Sequence, residues 1–226
     1  MASTTRRPSN ASDRRAVLEQ RILAVIDEHL REGATYTELS VEHIAQSAGI
    51  SRSTFYLYFR DKVDVLLRLS VTLKRESYAI AGSWRPTGPD GGLDGLVRIY
   101  EQILEHYRKY STLLSAIHEV AAYDPAVRDA WDEYQNQFIE NTIRLMKEEQ
   151  DAGRMAPDVD PRLAAKAVVR GGGHVIARQV AGVEGAADAE VARELALAYW
   201  YGVLRRPATP RFGKKSGHTE PGTPLR

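Results

Sequence analysis

Apolar residues recur along this chain at three- and four-residue spacing, and no stretch of four or more residues alternates cleanly between apolar and polar types. The first stripe is Leu18, Ile22, Val25, Ile26 and His29/Leu30, ending before Gly33. Such spacing gathers side chains on one face of a helix, whereas a strand would repeat every second residue. Between Pro8 and Pro86 the chain has no proline, and its only glycines are Gly33, Gly49 and Gly82. Each follows a helical stretch, where a left-handed C-terminal cap is expected. Ser40 is positioned to cap a short second helix that buries Ile44, Ala45 and Ala48, and Ser51 a third that runs through Phe59. Asp61, with Asp64 three residues on, starts a fourth that reaches about Gly82.

The remaining pattern is helical as well. After a Gly/Pro-rich loop over residues 82–92, Leu96, Tyr100, Ile103 and Tyr107 repeat at helical spacing, and Leu113, Leu114, Ile117 and Ala121 mark a shorter helix. Asp124-Pro125 and Asp160-Pro161 each read as an N-cap followed by proline at the first helical position. The first opens a long helix carrying Val127, Trp131, Tyr134, Phe138 and Leu145, with Gly153 beyond its end; the second opens a helix followed by Gly182. Asp188 begins the last, which Pro207 closes. The expected fold is all-α, about nine helices and no sheet.

Composition narrows the class. At 226 residues and 43% hydrophobic content the chain can build a substantial core, and without cysteine it has neither disulfides nor thiolate metal ligands. Its longest uncharged apolar run, residues 195–204, is half a membrane span, and the first residues lack the apolar centre of a signal peptide. A cytoplasmic protein is expected. The net charge of +1 hides segregation: residues 1–75 carry 12 basic and 9 acidic side chains, residues 76–204 carry 13 and 20, and residues 205–226 carry 6 and 1. Only the ends of the chain are suited to a polyanion. Residues 1–12 and 207–226 have the Pro/Gly/Ser/Thr/basic composition of disordered tails.

The stretch HIAQSAGISRSTFYLYFRDK, residues 43–62, sets four aromatic rings among basic residues. The two short helices and the turn around Gly49 have the dimensions of a helix-turn-helix. Phe55 and Phe59, four residues apart, anchor one face, while Tyr56 and Tyr58 flank it and Ser53 and Leu57 point away. Tyrosine at such a surface offers a hydroxyl and an apolar ring to bases and phosphates.

The run LSVEHIAQSAGISRSTFYLYFRDKVDVL, residues 39–66, closely resembles the helix-turn-helix of the tetracycline-repressor (TetR) family. The shared pattern is an IA-xx-AG turn, a serine cap, T-[LF]-Y-x-[YH]-F and a lysine at the head of the fourth helix. The spacing of the C-terminal half is weakly similar to the ethionamide-resistance-repressor group. The resemblance implies a helix-turn-helix DNA-binding domain over residues 13–62 and a ligand-binding and dimerisation domain over residues 63–206. It implies that Arg52, Ser53 and Tyr56 read base edges and that Ser40, Thr54, Tyr58 and Lys62 hold phosphates. Glu42 departs from the basic residue that some members place in the second helix. Arg6, Arg7, Arg14 and Arg15 resemble the flexible arm that some members lay along DNA; a solvated tail is the alternative.

The segment LALAYWYGVL, residues 195–204, is apolar on every side, and the preceding helix offers Ala164, Ala167, Val168, Gly171, Gly172 and Val175 as a matching seam. A four-helix bundle formed by helices 8 and 9 of two subunits would bury both. The glycines 171–173 inside helix 8 cost roughly 3 kcal/mol in helix propensity relative to alanine. Either close contact at a dimer seam or a helix opened for a ligand would offset that. Tyr100, Ile103, Tyr107, Trp131, Tyr134 and Phe138 can line a small-molecule cavity, with His118, Asn141, Arg170 and His174 as polar partners.

No HExxH, P-loop, Cys/His cluster or nucleophile elbow is present, so neither an enzyme nor a cofactor or metal site is expected. The resemblance implies a homodimeric repressor of a palindromic double-stranded DNA operator, released by a small-molecule effector. A ligand-responsive activator, or a ligand-binding module without DNA-binding activity, are the alternatives.

Overall fold

The computed structural model describes residues 10–182 and 187–204, which form nine α-helices and a closing π-helical turn, with no strand among them. The helices are α1 (Asn10–Arg31), α2 (Val41–Ser47), α3 (Arg52–Tyr58), α4 (Lys62–Gly82), α5 (Gly92–Lys109), α6 (Ser111–Ala121), α7 (Pro125–Asp151), α8 (Pro161–Val180) and α9 (Asp188–Tyr199); the π turn is Trp200–Leu204. Five of these starts are set by a short oxygen side chain. Ser40 accepts the His43 amide at 3.1 Å, Ser51 that of Thr54 at 3.0 Å and Asp61 that of Asp64 at 2.8 Å. Asp124 and Asp160 cap α7 and α8 in the same way, each ahead of a proline. Each such cap contributes about 1 kcal/mol by pairing an amide that the helix cannot.

Several boundaries differ from the sequence pattern. α1 begins at Asn10, so Arg14 and Arg15 lie within a helix and not in an arm, and Arg15 pairs with Glu19 one turn on. Arg6, Arg7, the expected basic tail and the Pro207 stop lie outside the described residues. Gly33 and Gly49 adopt the left-handed conformation that a side chain would resist, but Gly82 and Gly182 do not. α4 ends instead because the Ser83 amide and hydroxyl both turn back onto the Ile80 carbonyl.

The core has two parts. The larger joins α1, α2 and α3 to α4, α6 and the α5 residues Ile103, Leu104 and Tyr107, with Ile22, Ile26, Phe55, Leu66, Leu73 and Leu113 fully buried. The smaller gathers Trp84, Leu96, Ile139, Met146, Ala196 and Trp200. Ile99 and Tyr100 touch both parts. α4 packs on α5, α6 and α7, so it runs from the helix-turn-helix into the C-terminal bundle.

The last helix is not apolar on every side of equal consequence. Ala196, Tyr199, Trp200 and Leu204 are buried within this chain, with Trp84 against Tyr199 and Trp200. Ala198, Tyr201 and Gly202 remain exposed. On α8 the exposed small and apolar positions are Leu163, Ala167, Gly171 and Val175, one every fourth residue, whereas Ala164 and Val168 pack inward.

Candidate functional site

Two regions carry the chemistry. The first is the outward face of α3. Phe55 and Phe59 are buried with their rings 5.3 Å apart, which anchors the helix in the core that it shares with α1, α2 and α4. That leaves Arg52, Ser53, Tyr56 and Leu57 exposed, the Arg52 guanidinium standing 5.7 Å from the Tyr56 ring centre. Leu57 is 82% exposed, an apolar side chain that nothing in this chain covers. Thr54 and Tyr58 are half-buried beside this face, and Ser40 lies at the start of α2. Ser51 Oγ meets the hydroxyls of Ser53 and Thr54, each at 2.8 Å. A capping serine uses its oxygen as acceptor and keeps its O–H free to donate, so Ser40 caps α2 and can still meet an anion.

Lys62, to which the motif gives a phosphate, also has partners within this chain. Its ammonium is turned onto the loop between α1 and α2, donating to the carbonyls of Thr37 at 2.7 Å, Leu39 at 3.3 Å and Tyr36 at 3.4 Å. Three N–H donors thus meet three carbonyls that no helix or sheet pairs. The same loop is held from its other side. Glu119, near the end of α6, accepts the backbone amides of Tyr36 and Thr37, both at 2.8 Å, and the Thr37 hydroxyl. The Tyr36 hydroxyl donates to the Lys62 carbonyl at 2.6 Å, and burial of the Tyr36 side chain raises its pKa.

The second region is a cavity of about 720 Å³ bounded by α5, α6, α7 and α8, where the two parts of the core meet. All ten residues singled out from the sequence line it: Tyr100, Ile103, Tyr107, His118, Trp131, Tyr134, Phe138, Asn141, Arg170 and His174. The pattern did not single out Gln135, Thr142 or Tyr199 for it, although they also line it. Tyr199 was expected in a dimer seam; the turn of α9 toward Trp84 brings it inside. Gly172 and Gly173 answer part of the glycine question, since they face the cavity, with the Tyr100 hydroxyl 3.9 Å from where a Cβ would stand on Gly172. Gly171 instead faces open space on the outer side of α8.

The deep wall is aromatic. Trp131, Tyr134 and Phe138 stand on successive turns of α7, with centroid separations of 4.9 and 5.0 Å. The hydroxyls of Tyr107 and Tyr134 are 2.6 Å apart and are shared with Ser77, which donates to the Leu73 carbonyl at 2.6 Å. Burial drives both phenol pKa values up, so both stay protonated. The open side is different. His118, Asp132, Arg170, His174 and Arg178 are exposed along it, and the His118 ring stands edge-on to Trp131 at 5.1 Å. Partial burial, and then the neighbouring His174, lower the His118 pKa.

Comparisons with known proteins agree with this division. Residues 34–69 match the family profile of bacterial regulatory proteins, tetR family, and residues 97–201 match that of the transcriptional regulator EthR, C-terminal domain; together they cover more than half of the chain. The HTH-type transcriptional regulator EthR of Mycolicibacterium smegmatis is 29% identical over 167 residues, which are 72% of this chain and 75% of that protein. EthR of Mycobacterium tuberculosis H37Rv is 29% identical over 150 residues, 66% of this chain and 67% of that protein. Among solved structures, NalD, the secondary repressor of the MexAB-OprM multidrug efflux pump in Pseudomonas aeruginosa, superposes with a TM-score of 0.62 at 17% identity over 85% of this chain and 99% of its own. Thermus thermophilus FadR, a TetR-family repressor solved with lauroyl-CoA, gives 0.53 at 21% identity over 91% of this chain and 100% of its own. These structures share the fold, and the two profiles fall on the two regions described above. A helix-turn-helix joined through α4 to an EthR-type helical domain makes this chain a transcriptional regulator of the TetR family.

Proposed function

We infer that this regulator is a repressor that binds a palindromic operator in the cytoplasm as a twofold dimer and is released by a small molecule in the α5–α8 cavity. The observation that carries the reading is the Glu119 contact. It joins α6, whose His118 lines the cavity, to the loop that leads into the helix-turn-helix. On the DNA side, Arg52, Ser53 and Tyr56 are the base readers, and the exposed Leu57 is suited to a thymine methyl. Ser40, Thr54 and Tyr58 serve the phosphates. Lys62 serves them indirectly, by holding the loop that positions α2. The dimer forms through the outer faces of α8 and α9, around Leu163, Ala167, Gly171, Val175 and Tyr201.

Release follows if the effector prefers the arrangement in which the two heads no longer fit successive major grooves, and the coupling is then mutual. α4 is one lever, since Ala81 near its end lines the cavity and Lys62 begins it. α6 is the other. The names of NalD and FadR, both repressors, favour repression over activation.

Sequencing duplexes enriched from a random pool by the full-length protein tests the reading. A palindrome with half-site centres ~34–36 Å apart is expected. Arg52→Ala should then cost about 1–3 kcal/mol and relax preference within each half-site. Enrichment of no sequence, or an Arg52→Ala loss that is equal on random DNA, overturns it.

A further inference from the structure

We propose that the cavity takes an anionic amphiphile, an apolar body with one carboxylate-type group, the body lying against the α7 rings and the anion received by Arg170, His174 and Arg178 on α8. This deepens the reading of the cavity as the effector site and rests on it.

The deep wall leaves little for a polar ligand to bind. The Tyr107 and Tyr134 hydroxyls are satisfied by each other and by Ser77, the Trp84 indole N–H donates to the Gly92 carbonyl at 3.0 Å, and Asn141 Oδ1 accepts from Arg144. No buried side-chain polar atom among the described residues lacks a partner. Against the α7 rings a ligand group meets mostly ring faces and aliphatic carbon, with Ser115, Gln135 and Thr142 as the uncharged polar side chains of the lining.

The open side has the opposite character. Arg170, His174 and Arg178 follow one another at four-residue spacing, a row of about 6 Å steps along the helix. Neither guanidinium forms an ion pair with a described residue. His118 on α6, Tyr100 on α5 and Asp132 on α7 line the same cavity, and Asp132 is the sole carboxylate among the described residues of the lining. Two guanidiniums against one carboxylate leave a surplus of positive charge beside an apolar chamber. Gly172 and Gly173, on the inner side of that row, bring the α8 backbone to the cavity wall with no side chain between ligand and helix.

An anion bound beside His118 would favour its protonated form and oppose the burial and the neighbouring His174 that now lower its pKa. Affinity should therefore rise as the pH falls from 8 to 6 for an anion, and stay level for a neutral ligand of the same length.

The test is titration of the full-length protein with decanoate, decan-1-ol and decyltrimethylammonium, followed by tryptophan fluorescence, since Trp84 and Trp131 line the cavity. Decanoate should bind about tenfold more tightly than decanol, as one charge-assisted contact would give. The double variant Arg170→Gln/Arg178→Gln should remove that difference and leave decanol affinity unchanged, with its circular dichroism spectrum intact. Equal binding of decanoate and decanol overturns the anion preference while the effector site stands. Tightest binding by the ammonium compound overturns it in favour of Asp132. Binding of none of the three, with enriched duplex affinity unmoved by all, overturns both the preference and the effector reading.

Discussion

Glu119 accepts the backbone amide of Thr37 at 2.8 Å, a contact that crosses from the cavity-bearing bundle to the helix-turn-helix. It pairs the neighbouring Tyr36 amide as well, while Lys62 pairs the carbonyls of the same loop, so the segment ahead of α2 is gripped on both edges. Hydrogen bonds to a charged acceptor contribute more than neutral ones, and Glu119→Ala should cost about 1–3 kcal/mol of stability. Its functional effect should be larger on coupling than on either site alone. The ratio of operator affinities with and without a cavity ligand should fall toward one, while ligand affinity measured by tryptophan fluorescence stays within about twofold. An unchanged ratio would leave α4 as the sole lever.

Lys62 separates two roles by salt dependence. A lysine that holds a phosphate reduces the salt slope of binding by ~1 when removed and leaves the fold alone. A lysine that holds three loop carbonyls does the reverse. Lys62→Ala should therefore lower thermal stability, by roughly 2–4 °C per kcal/mol lost in a chain of this size. It should weaken all duplexes alike with little change of slope. A loss of slope at unchanged melting temperature would restore the direct phosphate contact.

These two residues also show where sequence reading runs out. Caps such as Ser40, Ser51, Asp61, Asp124 and Asp160 were legible because each acts within three residues of itself. The cavity residues were legible because Tyr100, Ile103 and Tyr107 on one helix, and Trp131, Tyr134 and Phe138 on another, repeat at helical spacing and so share a face. The loop contacts of Lys62 were not, because their acceptors lie 23 to 26 residues earlier. Glu119 was missed for the same reason, its partners lying 82 and 83 residues away. Tyr199 was placed in the dimer bundle with the rest of its segment because ten consecutive apolar residues carry no phase; the packing of Trp84 decides which side turns into this chain.

The proposed dimer rests on faces that this chain leaves uncovered. Leu163, Val175 and Tyr201 are 66%, 42% and 57% exposed, more apolar surface than these two helices need show to water. A glutamate placed at the centre of such a seam is desolvated without a partner on association. Leu163→Glu and Tyr201→Glu should each give monomers by light scattering, with operator affinity lost and helical content retained. A dimer of unchanged mass in both variants would place the interface elsewhere.

Asp188 and Arg108 make the stability of the bundle depend on pH in one direction. The Arg108 guanidinium donates to both carboxylate oxygens, at 2.6 and 2.8 Å, and Gln179 adds a third bond at 2.8 Å, tying the end of α8 and the start of α9 to α5. The hydrogen bonds from Arg108, ahead of that from Gln179, hold the Asp188 carboxyl below its ordinary value. A depressed carboxylate binds its proton more weakly in the folded state than in the unfolded one. Its stabilisation is therefore fully present above the unfolded value, about 3.9, and is lost as the pH falls from there through the folded one. Solvent screens this partly exposed pair, so the contribution at neutral pH is about 1 kcal/mol at most. Asp188→Asn should lower the melting temperature by roughly 2–4 °C at pH 7. That deficit should shrink as the pH is lowered from 5 to 3, because the wild type then loses what the variant never had. Other carboxylates titrate in both proteins alike, so the difference between the two melting curves isolates this one. A deficit that stays constant down to pH 3 would mean that the asparagine disturbs packing, and that the charge of Asp188 contributes nothing to holding α9 on α5.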